Sequence, residues 1–289
     1  MWALFKKEIL IYFKTPLAYL FLALFLFFTG AIFTLSHIFK ANQNFPAYLQ
    51  VLTSMLAIIA PLLTMRSYSE EWQHKTDQLL FTQPIALHHI VIAKFLSILV
   101  IFGIILLVLL LYLSVIATFG TPDWMHIFTA FIGFVLFAIT LLSLGMMVSS
   151  YTQHQLIAAI VSFLLITMIL LLTSIAPIIP RHPLAGFLTI SLLLSITSLQ
   201  LYLKRQPIWL ILGSLALIWL ITTSLYLLHP SIYQGFLPTF LQQLSPLHRY
   251  QGFNQGVIRL EDATYFLLAI FLLQYMIYTN LEKHDYREK

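Results

Sequence analysis

The chain alternates long apolar runs with short polar segments along its whole length. At 1.5 Å rise per residue, a helix of about 20 apolar residues crosses a hydrocarbon core of about 30 Å. The pattern therefore predicts an all-α fold, a polytopic membrane helix bundle of about eight spans. The predicted spans are Leu17–Phe39, Ala47–Met65, Phe95–Thr118, Ile127–Ser149, Gln155–Ala176, Phe187–Leu203, Ile208–Leu228 and Thr264–Leu281.

The charged residues, 15 basic and 10 acidic, lie at the edges of these runs or between them. A charge at the bilayer centre costs about 2.5–3.5 kcal/mol, so an intramembrane charge usually serves a function. Carriers driven by protons or sodium commonly place carboxylates near the midplane. Because the predicted spans lack such residues, the sequence disfavours a secondary transporter and directs the search for function to the loops.

Composition adds information about the energy source. Hydrophobic residues make up 60% of the chain and charged residues 9%, so residues 1–289 are predicted to form a single transmembrane domain. The sequence contains no Cys and no G-x-x-x-x-G-K-[ST] phosphate loop, so active transport would need energy from another polypeptide. His88 and His89 would point about 100° apart on a helix and make a poor metal chelate. We predict no metal site, no cofactor and no catalytic residue in this chain.

The distribution of Lys and Arg predicts the orientation. With the N-terminus inside, eleven of the 15 basic residues lie in cytoplasmic segments, and four lie on the other side, namely Lys40, Arg181, Arg249 and Arg259. Both termini are therefore predicted to be cytoplasmic in a multi-pass protein of the cell (inner) membrane. This distribution also explains the net charge of +5 without a nucleic-acid partner.

The first 16 residues predict an amphipathic helix. Its apolar side carries Trp2, Phe5, Ile9, Tyr12, Phe13 and Pro16, with Lys7 and Lys14 opposite. Such a helix lies in the membrane interface, with its lysines toward anionic lipid headgroups. The residue before proline is disfavoured in a helix, so Thr15 turns the chain into the first span. Two interpretations stand: a basic anchor, or an elbow helix that braces moving spans.

The loop over residues 66–94 predicts a short helical hairpin. Ser67 or Ser69 is a candidate N-cap for a helix with Glu70 and Glu71 in its first turn. We expect that helix to end at Pro84 and a second helix to start near Leu87. The first helix would expose one aromatic residue, Trp72. The loop is either a solvated connector or a docking site for a partner, and the tryptophan favours docking because Trp is enriched in interface hot spots.

The longest external segment, residues 229–263, predicts a helix at the outer interface from the spacing of Phe236, Leu237, Phe240, Leu241 and Leu244. Asp262 is a candidate cap for the final span. A structural lid and a role in substrate exit or in contact with an auxiliary protein remain equally open.

Residues of the 66–94 loop resemble ABC-2-type permeases, whose pattern there is roughly MR-x-x-x-EE-x-x-x-GT-x-E-LL-x-x-P, followed by a lysine that opens the next span. The matching residues are Met65-Arg66, Ser69-Glu70-Glu71, Lys75-Thr76-Asp77-Gln78-Leu79-Leu80, Thr82-Gln83-Pro84 and Ile90-Val91-Ile92-Ala93-Lys94. Lys75 stands where the family has Gly, and Asp77 where it has Glu. Both departures affect the turn and the details of docking.

Three other segments extend the resemblance in family order. They are the opening KKEILIYFKTPLAYLF, the stretch SSYTQHQLIAAIVS from Ser149 to Ser162, and the last external loop. The loop residues are Leu244-Ser245-Pro246, His248, Phe253, Gly256-Val257-Ile258, Asp262 and Tyr265-Phe266. They are similar to the gliding-motility (GldF-like) permeases. The pair of spans over Phe187–Leu228 exceeds the family's usual six.

The resemblance implies the permease half of an ATP-driven transporter, exporting an unidentified substrate. It implies a separate ABC ATPase that holds the Mg-ATP, a second permease subunit of the same or another kind, and an auxiliary protein with an external domain as a further candidate partner. The implied ATPase-coupling residues are Glu70, Glu71, Trp72, Thr76, Asp77, Leu79, Leu80 and Pro84. The implied elbow residues are Trp2, Phe5, Lys7, Ile9 and Phe13, and the implied external-loop residues are Pro246, His248, Phe253, Gly256 and Asp262.

Three other functions stay open on the residues alone. One is an ion-independent channel or passive carrier, and another is a structural membrane scaffold. The third is a lipid-handling intramembrane enzyme that uses loop residues such as His88, His248 or Asp262. The scatter of these three residues over both sides of the membrane argues against the enzyme.

Overall fold

The computed structural model describes residues 2–39, 44–76, 86–119, 122–203 and 207–288. Within these ranges every regular element is helical, which confirms the predicted all-α membrane bundle. The α-helices are α1 (Trp2–Lys14), α2 (Pro16–Phe33), α3 (Phe45–Thr64), α4 (Ser69–His74), α5 (Leu87–Ile116), α6 (Trp124–Tyr151), α7 (Gln155–Ile175), α8 (Pro183–Leu203), α9 (Ile208–Leu228), α10 (Phe236–Leu244), α11 (Pro246–Asn254) and α12 (Leu260–Glu288). Shorter turns are a π-helical turn at Thr34–Ile38 and 3-10 turns at Ala117–Phe119, Ala176–Ile178 and Pro230–Tyr233.

By length and composition, seven helical segments of the described chain can cross a membrane. They are Tyr19–Ile38, Phe45–His74, Leu87–Ile116, Trp124–Tyr151, Gln155–Ile178, Ile208–Leu228 and Leu260–His284. The predicted sixth span is present as helix α8, and among the described residues its apolar stretch, Pro183–Ile196, is shorter than the other seven. Seven of the eight predicted spans thus meet the length requirement among the described residues.

One helix boundary in the 66–94 loop differs from the prediction. Helix α5 begins at Leu87 and runs on through the third span, so Lys94 lies two turns inside a membrane-length helix. Helix α4 ends at His74, ten residues before Pro84, because Lys75 adopts a left-handed conformation that a helix cannot continue. The second helix of the loop starts where the sequence predicts it.

The packing divides the chain into two compact units, Met1–Met168 with Arg249–Lys289 and Ile169–His248. In the first unit, small residues of α6 let neighbouring segments approach closely, as is common between membrane helices. A Cβ on Gly145 would lie 2.1 Å from Thr64 Oγ1 of α3, and a Cβ on Gly133 would lie 2.3 Å from the Cβ of Phe253. Helix α12 adds polar links, since Asn280 Nδ2 donates to the carbonyl of Ser150 over 2.7 Å. Helix α6 is therefore central to this unit.

The second unit contains the hairpin of α8 and α9, which the sequence predicted to be a pair of extra spans. The first helix of the hairpin approaches the Pro230–Tyr233 turn closely, since a Cβ on Gly186 would lie 1.9 Å from the carbonyl oxygen of Tyr233. The Tyr233 hydroxyl donates to the carbonyl of Thr222 over 3.0 Å, and the rings of Phe187 and Tyr226 lie 5.1 Å apart. Aromatic packing thus fastens one end of the hairpin.

The long segment predicted to be external contains two short helices. Helix α10 covers Phe236–Leu244, which confirms the helix predicted from the apolar spacing. Helix α11, Pro246–Asn254, was not predicted, because its sequence PLHRYQGFN has no apolar run.

Candidate functional site

One face of helix α1 carries both apolar and polar side chains and packs against the other helices of the first unit. Leu4, Glu8 and Tyr12, spaced four residues apart, are all buried. Leu4 packs against Ile90, and the Tyr12 hydroxyl donates to the carbonyl of Leu63 over 3.4 Å. Burial raises the pKa of Tyr12 well above its usual range, so the phenol is neutral. The inner face of α1 therefore carries one ionisable group that needs a partner, the carboxylate of Glu8.

The predicted elbow residues lie around the rest of α1. Trp2 is 75% exposed, Lys7 is exposed, and Phe5, Ile9 and Phe13 are half-buried. This leaves apolar surface available to a membrane interface. Tyr12 was assigned to the same side, and this was wrong, because its ring packs into the bundle beside Glu8.

Hydrogen bonds of the Ser149 hydroxyl join the end of α6 to the start of α4. The Ser149 hydroxyl accepts the backbone N–H groups of Tyr68 and Ser69, at 3.1 and 3.2 Å, and donates to the carbonyl of Met65 over 3.0 Å. The first N–H groups of a helix have no partner within it, so Ser149 supplies the cap from another helix. The predicted cap was wrong in this respect, since Ser69 is the first helical residue and its own hydroxyl donates back to Met65.

The ammonium group of Lys94 lies at the centre of this region, with its side chain 2% exposed. Its Nζ is 2.9 Å from a carboxylate oxygen of Glu71, 2.8 Å from the carbonyl of Ser67 and 3.3 Å from a carboxylate oxygen of Glu8. A lysine has three N–H donors, and here three acceptors surround it. The ammonium also lies 5.2 Å from the centre of the Tyr68 ring, within the range of a cation–π interaction.

The buried charge of Lys94 is balanced by two carboxylates. Removing one partner of a buried ion pair typically costs about 3–5 kcal/mol, because the other charge is left without compensation. Lys94 is compensated by the carboxylates of α1 and α4 together, and the Glu8 side chain is itself only 6% exposed. The expectation that charges avoid the helical spans holds for the midplane, but at this end Lys94 is a fully buried charge.

Two more ion pairs extend the cluster toward solvent. Glu71 lies 3.7 Å from Lys7 Nζ, and Arg66 donates from Nε and Nη2 to the two carboxylate oxygens of Glu70. With Glu8 and Lys94 the cluster holds three cations and three carboxylates, so its formal charge is balanced. These side chains line a cavity of about 510 Å³ between α1, α4 and α5.

The predicted coupling residues have different positions. Glu70 and Glu71 belong to the internal ion pairs, and Thr76 is exposed. The prediction that Trp72 is exposed was wrong, because its ring is half-buried and lies 4.1 Å from the ring of His284 in α12. The remaining four, Asp77, Leu79, Leu80 and Pro84, lie outside the described residues.

Lys75 ends α4 with φ 54° and ψ 28°, the left-handed conformation. Its N–H bonds to the carbonyl of Trp72, and the N–H of Thr76 bonds to that of Glu71. Glycine is the usual residue at such a helix end, because it has no Cβ to clash there. Lys75 therefore occupies a position whose backbone conformation favours Gly, the residue that the family pattern has there.

The predicted external-loop residues lie near the start of α12 and along α11. Asp262 is buried and accepts from Arg249 Nη1 over 2.9 Å. It is the third residue of α12, inside the first turn, so its assignment as the cap was wrong. Phe253 is buried against Gly133, whereas Pro246 is buried and His248 is exposed.

Gly256 has φ 82° and lies close to His126, whose Nε2 is 2.8 Å from the carbonyl oxygen of Asn254. Asn254 Nδ2 in turn donates to Gln50 Oε1 over 3.0 Å. These contacts anchor α11 on α3 and α6 and contain no nucleophile or paired acid and base. They support a structural role for this end of the first unit.

Sequence reasoning did not identify Glu8, Lys94 or Ser149 as members of the site. Glu8 follows Leu4 by one helical turn on the buried face of α1, which is the signal that was available. The burial of Lys94 depends on residues 27 and 86 positions away in the chain. No local pattern contains that information.

The model of a family described as "ABC-2 family transporter protein" matches residues 2–281, which includes all of the cluster around Lys94. No curated protein matches the chain.

Proposed function

The chain belongs to the ABC-2 family of transporter proteins, and from this premise we propose that it is the permease subunit of an exporter powered by a separate ABC ATPase that docks beside α4. The chain is a multi-pass membrane protein by its helices and a transporter subunit by its family. The proposal adds the direction of transport, the partner and the place where the partner binds.

The observation that carries the proposal is the anchoring of α4. This helix has only six residues, yet Ser149 of α6 caps its start, Lys94 of α5 binds its Glu71, and Trp72 contacts His284 of α12. A short helix held by three long ones passes a displacement to all of them, because packed elements move as rigid bodies. ATP-driven closure of a docked subunit is a source of such a displacement.

The exposed residues beside α4 supply a surface for docking. Gln73, His74 and Thr76 are exposed at its end, and His154 and Leu156 are exposed in the turn after α6. Leu156 is 75% exposed and, with Gln73, lines a cavity of about 400 Å³. We call these five residues the docking surface. In this proposal Glu70 and Glu71 are internal links, and the docking surface makes the contact with the ATPase.

The orientation and the other partners complete the proposal. The excess of Lys and Arg on one side supports cytoplasmic termini in the inner membrane, which places the docking surface where ATP is available. The ATPase holds the Mg-ATP, and a second permease subunit, identical or different, completes the pathway. An auxiliary protein with an external domain would contact the α10–α11 segment. The external-loop residues favour the GldF-like subgroup.

Cross-linking tests the docking surface directly, because the chain has no native cysteine. Single cysteines at Gln73 and Leu156, carrying a photoactivated cross-linker, should link the chain to an ABC ATPase in the complex isolated from native membranes. The matched control is a cysteine at Trp124, which is 58% exposed at the opposite end of the 28-residue helix α6. At 1.5 Å per residue it lies about 40 Å from the docking surface.

The expected result is ATP hydrolysis in the isolated complex, none in the isolated chain, and ATPase cross-links from Gln73 and Leu156 but not from Trp124. A native complex without any ABC ATPase would overturn the proposed function. An ATPase that cross-links equally from Trp124 would overturn the docking surface alone.

A further inference from the structure

Within the cluster, one residue touches both α1 and α4, and we propose that Lys94 is the positioning residue that makes α1 follow α4 when the ATPase displaces α4. This inference rests on the proposed function, because it needs a load on α4. It adds a mechanical role to a residue that neither the family match nor the docking surface assigns.

The bonds of Lys94 define the link. Two of its three acceptors, the Glu71 carboxylate and the Ser67 carbonyl, belong to the segment that carries α4. The third, Glu8, belongs to α1. The ammonium is therefore a single buried point at which α1, α4 and α5 meet.

The strength of the link follows from burial. The Lys94 and Glu8 side chains are 2% and 6% exposed, so water and salt screen their attraction very little. Lys7 also reaches Glu71 from α1, but its side chain is 51% exposed and the distance is 3.7 Å. Exposed pairs of this kind contribute little. Lys94 is the stronger of the two connections from α1 to Glu71.

The link can transmit a displacement. If α4 moves and carries Glu71 with it, Lys94 must follow or its buried ammonium loses one of its two carboxylate partners, which is costly. The same holds between Lys94 and Glu8. Displacement of α4 is thus passed to the elbow helix through one side chain, and both move relative to the rest of α5.

Spin-label distances in the complete transporter test this relay. We place labels on cysteines at Gln73 in α4 and Leu10 in α1, each paired with a reference label at Leu107 of α5, which is 63% exposed. Labelled chain is diluted into unlabelled chain so that only distances within one subunit are read. The two pairs are measured in nanodiscs without nucleotide and after trapping with ATP and vanadate.

In the wild type, both the Gln73 and the Leu10 distances should shift on trapping. In Lys94→Met the Gln73 distance should still shift and the Leu10 distance should not. Lys94→Arg, which keeps the charge, should restore the Leu10 shift. Lys7→Met is the matched control, because it removes a cation from the same Glu71 at the surface, and it should leave both shifts intact.

Glu8→Leu provides a second variant if Lys94→Met does not insert. It removes the acceptor on α1 and leaves Lys94 bound to Glu71, so it should abolish the Leu10 shift and keep the Gln73 shift. A Leu10 shift that persists in either variant would overturn the relay, as would failure of Lys94→Arg to restore it. Absence of any ATPase from the wild-type complex contradicts the proposed function instead, so the two failures are distinguishable.

Discussion

The hydroxyl of Ser149, in the last turn of α6, accepts a hydrogen bond from the backbone N–H of Ser69, the first residue of α4, at 3.2 Å. The same oxygen accepts the N–H of Tyr68 and donates to the carbonyl of Met65. A side chain of one helix thus caps a second helix that lies 80 residues earlier in the chain.

Ser149→Ala should loosen the start of α4. It removes three buried hydrogen bonds and leaves two backbone N–H groups without a partner, which costs about 1–3 kcal/mol. Hydrogen exchange of the peptide over residues 66–76 should become faster, while exchange in the middle of α3 and α6 stays the same.

The control for this change is Ser150→Ala. The Ser150 hydroxyl bonds only within its own helix, to the carbonyl of Met147 over 2.7 Å, among the contacts described for it. If Ser150→Ala accelerates exchange in the 66–76 peptide as much as Ser149→Ala, the capping role is wrong.

Lys75→Gly should stabilise the end of α4. A residue with a Cβ pays about 1–2 kcal/mol in the left-handed conformation, and Gly avoids this cost at the expense of some unfolded-state entropy. We expect slower hydrogen exchange at the end of α4 by a factor that corresponds to roughly 0.5–1 kcal/mol.

Gln73→Gly tests the same substitution inside the helix, at an exposed position two residues earlier. There Gly should destabilise α4 by at most about 1 kcal/mol, the helix-interior cost, because Gln73 is helical but lies in the last turn. Opposite signs at positions 73 and 75 support the left-handed turn, and equal signs contradict it.

The sequence predicted the elements whose signal is local. Spans such as Ile208–Leu228 have the length and composition of a membrane helix, and the observed helix has the same bounds. The break at Thr15 follows from Pro16, and Thr15 is extended with ψ 141°. Helix α11 has no apolar run that would have predicted it, because it is short and polar. Its position is fixed by a tertiary contact, the packing of Phe253 on Gly133.

The candidate site was only partly predictable for the same physical reason. Glu70 and Glu71 stand out because two adjacent carboxylates begin a helix. Their partners depend on tertiary contacts, as with Glu71, which pairs with Lys94 of α5 and Lys7 of α1. A charge pattern read along the chain shows which residues are near a membrane edge, and cannot show which of them face inward.

Arg249→Met should destabilise the junction of α11 with α12. The Asp262 side chain is 6% exposed and lies 2.9 Å from Arg249, so removing the cation leaves a buried carboxylate and costs about 3 kcal/mol. The unfolding temperature, followed by tryptophan fluorescence in detergent, should fall. Adding Asp262→Asn should recover part of the loss, because no buried charge then remains.

Glu261→Gln is the matched control. Glu261 lies 3.9 Å from the same arginine, but its side chain is 85% exposed. Exposed pairs contribute little, so the unfolding temperature should not change. A drop comparable to that of Arg249→Met would show that the junction depends on net charge at the surface and not on the buried pair.

Gly145→Ala should separate α3 from α6. The new Cβ would lie 2.1 Å from Thr64 Oγ1, and Thr64 also bonds to the carbonyl of Ala60 over 2.8 Å, so the hydroxyl cannot move away freely. Overpacking of this kind costs about 1–3 kcal/mol. The measurement is again the unfolding temperature, and Thr64→Ala in the same chain should recover most of the loss by removing the clashing oxygen.

Gly103→Ala in α5 is the control. A Cβ there has no neighbour within 4 Å, so this change should leave the unfolding temperature the same or slightly higher. If Gly145→Ala were as harmless as Gly103→Ala, the close approach of α3 and α6, and with it the fixed position of Ser149 over α4, would be wrong.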